Sequence, residues 1–450
     1  MALKKLLSLL VAIFTISAPA RAQQADSASA PAEVLTLEQA ISEASQNNRQ
    51  IKIAYQNVLA ANDQILAVRT QRYPQFNVQL TGSGFLTPVT VNFPSGAFGT
   101  VGGTPVPNGV AKVTTDPRFS GMSLAQAYQP LSQLWNIHLN LGSLDLNKKL
   151  TQEETRQERQ QIVVNVKSAY YSLLQTQSAL DAAEANLKSL VELDRVTVAN
   201  VQQQNALQYQ STGVKVQVAQ AELQIVTLQD TLATQKENLN NLMGRDIRTD
   251  FRIAGVPEAL PEESSLQLAR ETALSQRTEV RQAKIKIDLA VYSRRIEKAQ
   301  YIPQVGIQYM YFSPFSIQGL PQNINVLGIN LKWDIYDWGY KKHILEEKSR
   351  GVVQSQLNLT ETQSQVVIDL DNNWRKLREA RANLKVAQLA QQAESEKLAT
   401  VLEQYKTGDV LLSTALQEKA TMAQADAQYQ QALAQFWTAR ANFEKSLGED

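Results

Sequence analysis

The chain has 450 residues, with 44 Lys and Arg against 43 Asp and Glu, and it contains no cysteine. A formal charge of +1 gives no electrostatic ground for a nucleic-acid partner. Without cysteine an exported chain has neither disulfides nor the acylatable thiol of a bacterial lipoprotein, so any membrane attachment must come from the folded body.

Lys4 and Lys5 precede an apolar run from Leu6 to Ile16, and Ala20-Arg21-Ala22 supplies small residues at the usual processing positions. Residues 1–22 therefore read as a secretory signal peptide, too short in its apolar part to span a bilayer. Residues 23–34 read as a flexible mature N-terminus. No later segment approaches about 20 consecutive apolar residues, which excludes a helix-spanning protein and leaves a closed β-barrel as the only possible spanning structure.

Proline placement divides the rest. None occurs from Leu131 to Val256 or from Gln322 to Asp450, and both runs are rich in Ala, Gln, Leu, Glu and Lys. Proline breaks helix interiors, so these runs are free to form very long helices. In the first, Ile162, Val166, Ala169, Leu173, Thr176, Leu180, Ala183, Leu187 and Leu190 alternate four and three apart, a heptad seam. Val366, Leu370, Asn373, Leu377, Ala380, Leu384 and Ala387 repeat that spacing in the second.

The chain is also an internal duplication. A shift of 229 lays Leu37 on Leu266, Ala44 on Ala273 and Pro74-Gln75 on Pro303-Gln304. A shift of 204 lays Leu173 on Leu377, Leu207 on Leu411 and Gly244 on Gly448. The difference of 25 places one insertion between residues 78 and 123, in a stretch dense in Gly, Pro, Thr and Val that reads as a long loop. The expected division is a first repeat over 35–245, a linker over 246–264 and a second repeat over 265–450.

Each repeat carries two segments of period two. Phe76, Val78 and Leu80 alternate with polar neighbours, as do Val305, Ile307 and Tyr309, and then Leu327, Ile329, Leu331, Trp333 and Ile335. Strands are expected at about 75–84, 122–131, 304–313 and 326–336, with helical hairpins over 140–243 and 340–447. About ten residues, apolar on one face and polar on the other with aromatic ends, is the pattern of a transmembrane barrel strand, and the apolar residues named are then lipid-facing. Four strands cannot close a barrel, so several chains must contribute, and three would supply twelve strands.

These features together resemble the outer-membrane efflux protein family of TolC-like channel-tunnels, over about residues 33–450. The repeats close on Leu242-Met243-Gly244 and Ser446-Leu447-Gly448. Gln129-Pro130-Leu131 and Trp333-Asp334-Ile335-Tyr336-Asp337-Trp338-Gly339 look like the family's strand-exit signatures, with Asp334 where proline is common. The resemblance implies a mainly α fold with a small β part: four transmembrane strands per chain, a homotrimer sharing a 12-stranded barrel in outer-membrane lipid, and a helical periplasmic tunnel. It implies a passive gated exit duct whose partners are a periplasmic adaptor and an inner-membrane transporter. The rival is an exported coiled-coil adaptor or scaffold without a pore, which would not need two copies of strand–loop–strand.

The resemblance also assigns candidate positions. Tyr405-Lys406-Thr407-Gly408-Asp409 looks like the family's Tyr-x-x-Gly hairpin turn, where an adaptor would dock. The 204 shift places Gln204 and Asn205 opposite it, with no glycine. Relatives with a cation-sensitive gate carry aspartates six and nine residues after the turn glycine, and here those positions are Thr414 and Gln417. His138 and His343 are the only histidines, which with no cysteine argues against a metal site. Neither a Gly-x-Ser-x-Gly nucleophile motif nor a phosphate-binding Gly-x-x-x-x-Gly-Lys-Ser/Thr is present. No enzymatic activity, cofactor or metal is expected.

Overall fold

The structure, a computed structural model, describes residues 33–449 other than 85, 89, 115–119, 205–206, 256–264 and 316–320. The expected signal peptide and most of the mature N-terminus lie outside the described residues. Elements follow in the order β1 (Glu33–Leu35), α1 (Leu37–Asn47), α2 (Arg49–Thr70) and β2 (Gln75–Ser83). The insertion holds β3 (Thr90–Phe93), β4 (Thr100–Val101), β5 (Thr104–Pro105) and β6 (Ala111–Thr114), and β7 (Ser120–Pro130) completes the first strand pair. Then come α3 (Gln133–Gln202), α4 (Gln208–Met243), β8 (Phe251–Ile253), α5 (Leu266–Gln276) and α6 (Thr278–Ala299). The chain ends in β9 (Gln304–Phe315), β10 (Ile324–Lys332), α7 (Tyr340–Thr407) and α8 (Leu412–Leu447).

The duplication reappears in the element bounds. Helices α1 and α2 recur as α5 and α6 at the 229 offset, and α4 recurs as α8 at the 204 offset, residue for residue. At 70 residues α3 is about 105 Å long, well beyond a compact domain. Both heptad seams are buried: Ile162, Val166, Leu173, Thr176 and Leu180 in α3, and Val366, Leu370, Leu377 and Leu384 in α7. They pack against α4 and α8, whose Ala and Leu positions let the helices come close.

A continuous wall follows from the connections. The sheet order is β10-β9-β7-β2, antiparallel throughout. Each of its strands is directly connected to one helix, and the helices keep the same order, with α2 beside α3, α3 beside α6 and α6 beside α7. Serine and main chain stitch the junction: the Ser132 hydroxyl accepts from the Val305 amide at 2.7 Å, and the Leu131 amide donates to the Val305 carbonyl at 2.9 Å.

Midway along the helices lies a mixed layer. β1 and β8 pair in parallel, Glu33 with Phe251 through Leu35 with Ile253, over the core of α1, α3 and α4. This corrects two expectations: part of the flexible N-terminus (33–34) and part of the linker (251–253) are strand. The Tyr170 hydroxyl reaches the Ala254 carbonyl at 2.6 Å and the Leu35 carbonyl at 3.0 Å, fastening the pair to α3. Burial raises its pKa above the ordinary phenol value, so it remains a donor. The insertion also departs from a plain loop, since β3 pairs with β6 and β4 with β5.

The two repeats are joined by charge as well as by apolar contact. Lys167 of α3 donates to Glu444 of α8 at 2.8 Å, and Arg440 donates to the same carboxylate at 2.7 Å. Burial opposes ionisation of Glu444, yet these two cations outweigh it and hold its pKa below the ordinary glutamate range. A lowered folded-state pKa gives stability that is complete above the unfolded value near pH 4.3 and lost as pH falls through the folded one. Melting temperature is therefore expected to drop on acidification below about pH 4.5, and Glu444→Gln to flatten that dependence. An acid profile identical in the two proteins would remove this pair from the account.

Candidate functional site

Two regions carry the functional expectations: the sheet at one end and the hairpin tips at the other. In the sheet, register sets the faces. Phe76, Ala127, Tyr309 and Leu327 form one cross-strand row, and Val78, Ala125, Tyr311 and Asn325 the next. Leu80, Val305, Ile307, Ile329 and Leu331 share that face. The opposite face presents Asn77, Gln79, Gln126, Gln308 and Asn330. The apolar face is the more unusual in water: Phe76 is 80% exposed, Leu80 75% and Ile329 78%. An uncovered apolar sheet face of this extent requires a covering medium. Strands of nine to twelve residues tilted by about 40° span roughly 25 Å, the height of the apolar band of an outer-membrane barrel.

The four strands of the sheet cover 75–83, 120–130, 304–315 and 324–332, and the last departs most from its expected span of 326–336. β10 stops at Lys332, so Trp333 and Ile335 are not strand residues, although the alternation in the sequence continues through them. The backbone turns instead: the Asp337 carboxylate accepts from the amides of Gly339 at 3.1 Å and Lys341 at 3.1 Å, and Trp338 takes a positive φ of 57°. Trp333, Tyr336 and Trp338 are all exposed there, Tyr336 and Trp338 in edge contact at 4.9 Å between ring centres. Exposed aromatics at the foot of an apolar sheet face are placed as interfacial anchors are.

The edges matter as much as the faces. Strands β2 and β10 each have one neighbour among the described residues, and they run in opposite directions. The β10 edge of one copy can therefore continue antiparallel onto the β2 edge of the next. That head-to-tail contact keeps the apolar faces on one side and closes by rotation into a ring, whereas open edges in isolation invite aggregation.

At the far end, each helical hairpin turns over a few residues. Gly408 caps α7 with a left-handed φ of 85°, and nothing lies within 4 Å of where a Cβ would stand. Tyr405 is partly exposed in the last turn of α7, and the Asp409 carboxylate accepts from the Thr407 hydroxyl at 2.5 Å. Thr414 and Gln417 are exposed in the first two turns of α8. Glu418 is paired with Lys397 across the hairpin at 2.8 Å. Asn205 lies outside the described residues, while Gln204 takes φ 58°, the same left-handed conformation as its repeat mate Gly408. That geometry costs a non-glycine residue about 1–2 kcal/mol. Gln204→Gly is accordingly expected to stabilise the first tip by about 1 kcal/mol, read as slower exchange of the flanking amides. An exchange rate unchanged or faster would refute the strain.

Residues 269–449 match the family model described as outer membrane efflux protein. No curated protein matches the chain. Among solved structures, the Campylobacter jejuni CmeC outer membrane channel is 14% identical, with 92% of this chain and 85% of that chain covered and a TM-score of 0.73. The open state of the Neisseria gonorrhoeae MtrE outer membrane channel is 15% identical over 92% and 89% of the two chains, TM-score 0.66. The Vibrio cholerae outer membrane protein VceC is 14% identical over 92% and 96%, TM-score 0.65. The chain thus matches the outer membrane efflux protein model through residues 269–449, and over 92% of its length it has the fold of these solved outer-membrane proteins.

Proposed function

We propose that the chain is one protomer of the outer-membrane exit duct of a tripartite efflux pump or a type I secretion system. It passes substrates delivered by an inner-membrane transporter and a periplasmic adaptor to the outside. The observation that carries this reading is an edge-open sheet, apolar on one face and polar on the other, continuous with helices about 100 Å long. Lipid accounts for the apolar face and a water-filled lumen for the polar one. A pore-free periplasmic scaffold accounts for neither. Among the described residues no helix is long and apolar enough to cross a membrane, so the sheet is the part that would span it.

Head-to-tail closure of four strands per copy suits a homotrimer with twelve strands, the number implied by the family resemblance. Energy comes from the transporter, and this chain supplies a passive path. The lipid-facing set is Phe76, Val78, Leu80, Val305, Ile307, Tyr309, Leu327, Ile329 and Leu331, with Trp333 and Ile335 at the interface below. Tyr405, Gly408 and Asp409 form the adaptor-facing tip. Thr414 and Gln417 take the positions of the acidic gate ring, so divalent cations should have little effect on conductance.

The deciding measurement is the native mass of protein extracted from isolated outer membranes, corrected for detergent, followed by conductance in planar bilayers. About three chain masses and discrete channels are expected. A soluble monomer absent from outer membranes would sink the proposal. Gly408→Trp is expected to leave trimers intact and to reduce export by about tenfold or more, because a bulky residue in left-handed geometry disturbs the tip. Normal export by that variant would remove the docking role.

A further inference from the structure

A groove of about 770 Å³ opens at the foot of the sheet, between the first turns of α3 and the last turns of α6. Trp135, Tyr292, Tyr301 and Ile302 give it apolar walls, and Trp135 and Ile302 remain about half exposed. Ile302 stands two residues before β9, so these walls continue towards the apolar face of the sheet that begins at Val305. The groove also carries charge of one sign. Arg295 lies over the Tyr292 ring at 5.5 Å, Lys298 stands one turn further along α6, and no carboxylate lines the groove. Neither cation has an ion-pair partner among the described residues.

Its side of the wall can be read from α3. His138, Asp145, Gln152, Arg159 and Val166 are seven apart and so share one stripe of a coiled-coil helix. His138 lines the groove, Gln152 and Arg159 line the cleft beside α1, and Val166 packs in the core that holds α1. The groove thus opens on the side of the wall that carries the extra layer of α1.

We infer that this groove binds one anionic glycerophospholipid per chain from the membrane leaflet at the periplasmic end of the barrel. The phosphate lies between Arg295 and Lys298 and an acyl chain lies along Trp135 and Ile302. The volume is within the range of small-ligand sites, and an apolar slot rimmed by cations without acids is complementary to an anionic amphiphile. The lipid would seal the junction where the sheet gives way to the first helical turns. This inference rests on the reading of the sheet as membrane-spanning.

The test is native mass spectrometry of the detergent-extracted oligomer with added phosphatidylglycerol, with phosphatidylcholine and inorganic phosphate as separate arms. One phosphatidylglycerol per chain is expected, with weaker retention of phosphatidylcholine and no displacement by excess phosphate. Arg295→Gln with Lys298→Gln should weaken phosphatidylglycerol retention about tenfold or more while the oligomer still fractionates with outer membranes. Equal retention by the double variant, or equal binding of phosphatidylcholine, would overturn the anionic-lipid assignment. Displacement by phosphate alone would reduce the site to a simple anion site and overturn the acyl-chain part. A wild-type chain absent from membranes would instead sink the duct reading, whereas membrane oligomers that bind no phospholipid would sink this inference alone.

Discussion

Ile329→Arg is expected to abolish accumulation in the outer membrane, while Asn330→Arg, one residue along the same strand, is expected to be tolerated. Ile329 lies mid-strand in β10, cross-strand from Ile307, on the face shared with Leu327 and Leu331. Asn330 points the other way, opposite Gly306. An arginine on the lipid face near the bilayer midplane costs about 2–4 kcal/mol, and the proposed ring of three copies would incur it three times. A cation on the lumen face stays in water. The side-chain period of two makes this neighbouring pair a strict comparison, because backbone, depth and propensity are nearly constant. Oligomer yield in isolated outer membranes is the readout. Equal yields for the two variants would mean that the exposed apolar face is covered by something other than lipid.

Much of this arrangement could be read before the fold, because its signals are periodic and long. The α3 and α7 seams span many heptads, and proline-free runs over 120 residues long leave the helices no reason to stop. The duplication supplied the rest, since a weak feature in one repeat is supported by its mate in the other. Short and non-local features escaped for a physical reason. β1 and β8 are three residues each and pair across most of the first repeat, so neither has enough alternation to register. The alternation runs past the end of β10 because hydrophobic alternation reports which face a residue would occupy, not where ladder hydrogen bonds end. Asp337, whose carboxylate collects two amides, is what turns the chain. The groove at Trp135 and Tyr292 joins helices far apart in sequence, and no single segment announces it. At the tips, the left-handed Gln204 is legible only through its repeat partner Gly408.

The second large effect is expected at the two points where each repeat closes on itself. Gly244 and Gly448 cap α4 and α8 at φ 76° and 85°, and each sits on the junction between two short helices. A Cβ on Gly244 would stand 2.3 Å from the Asn47 carbonyl oxygen, and one on Gly448 would stand 2.9 Å from the Arg277 nitrogen. Both obstacles are backbone, so no side chain can move aside. The junctions are held in turn: Asn48 caps α2 through the Gln50 amide at 2.8 Å and donates to the Leu242 carbonyl at 2.7 Å. Arg277, at the matching position of the second repeat, binds Glu279 at 2.8 Å and Asp369 at 2.5 Å. Gly244→Ala therefore combines left-handed strain of about 1–2 kcal/mol with a backbone displacement, for a loss of about 2–4 kcal/mol. Gly448→Ala has the same strain with a looser contact and is expected to lose less, about 1–3 kcal/mol. The order follows from the two distances, and thermal unfolding of the extracted oligomer measures it. If Gly448→Ala proved the more damaging, the closing contact of the second repeat would have to be carried by more than this backbone approach. The Gly448 carbonyl, which accepts from Arg156 at 3.0 Å and from Gln160 at 3.1 Å, is the group that would have to carry it.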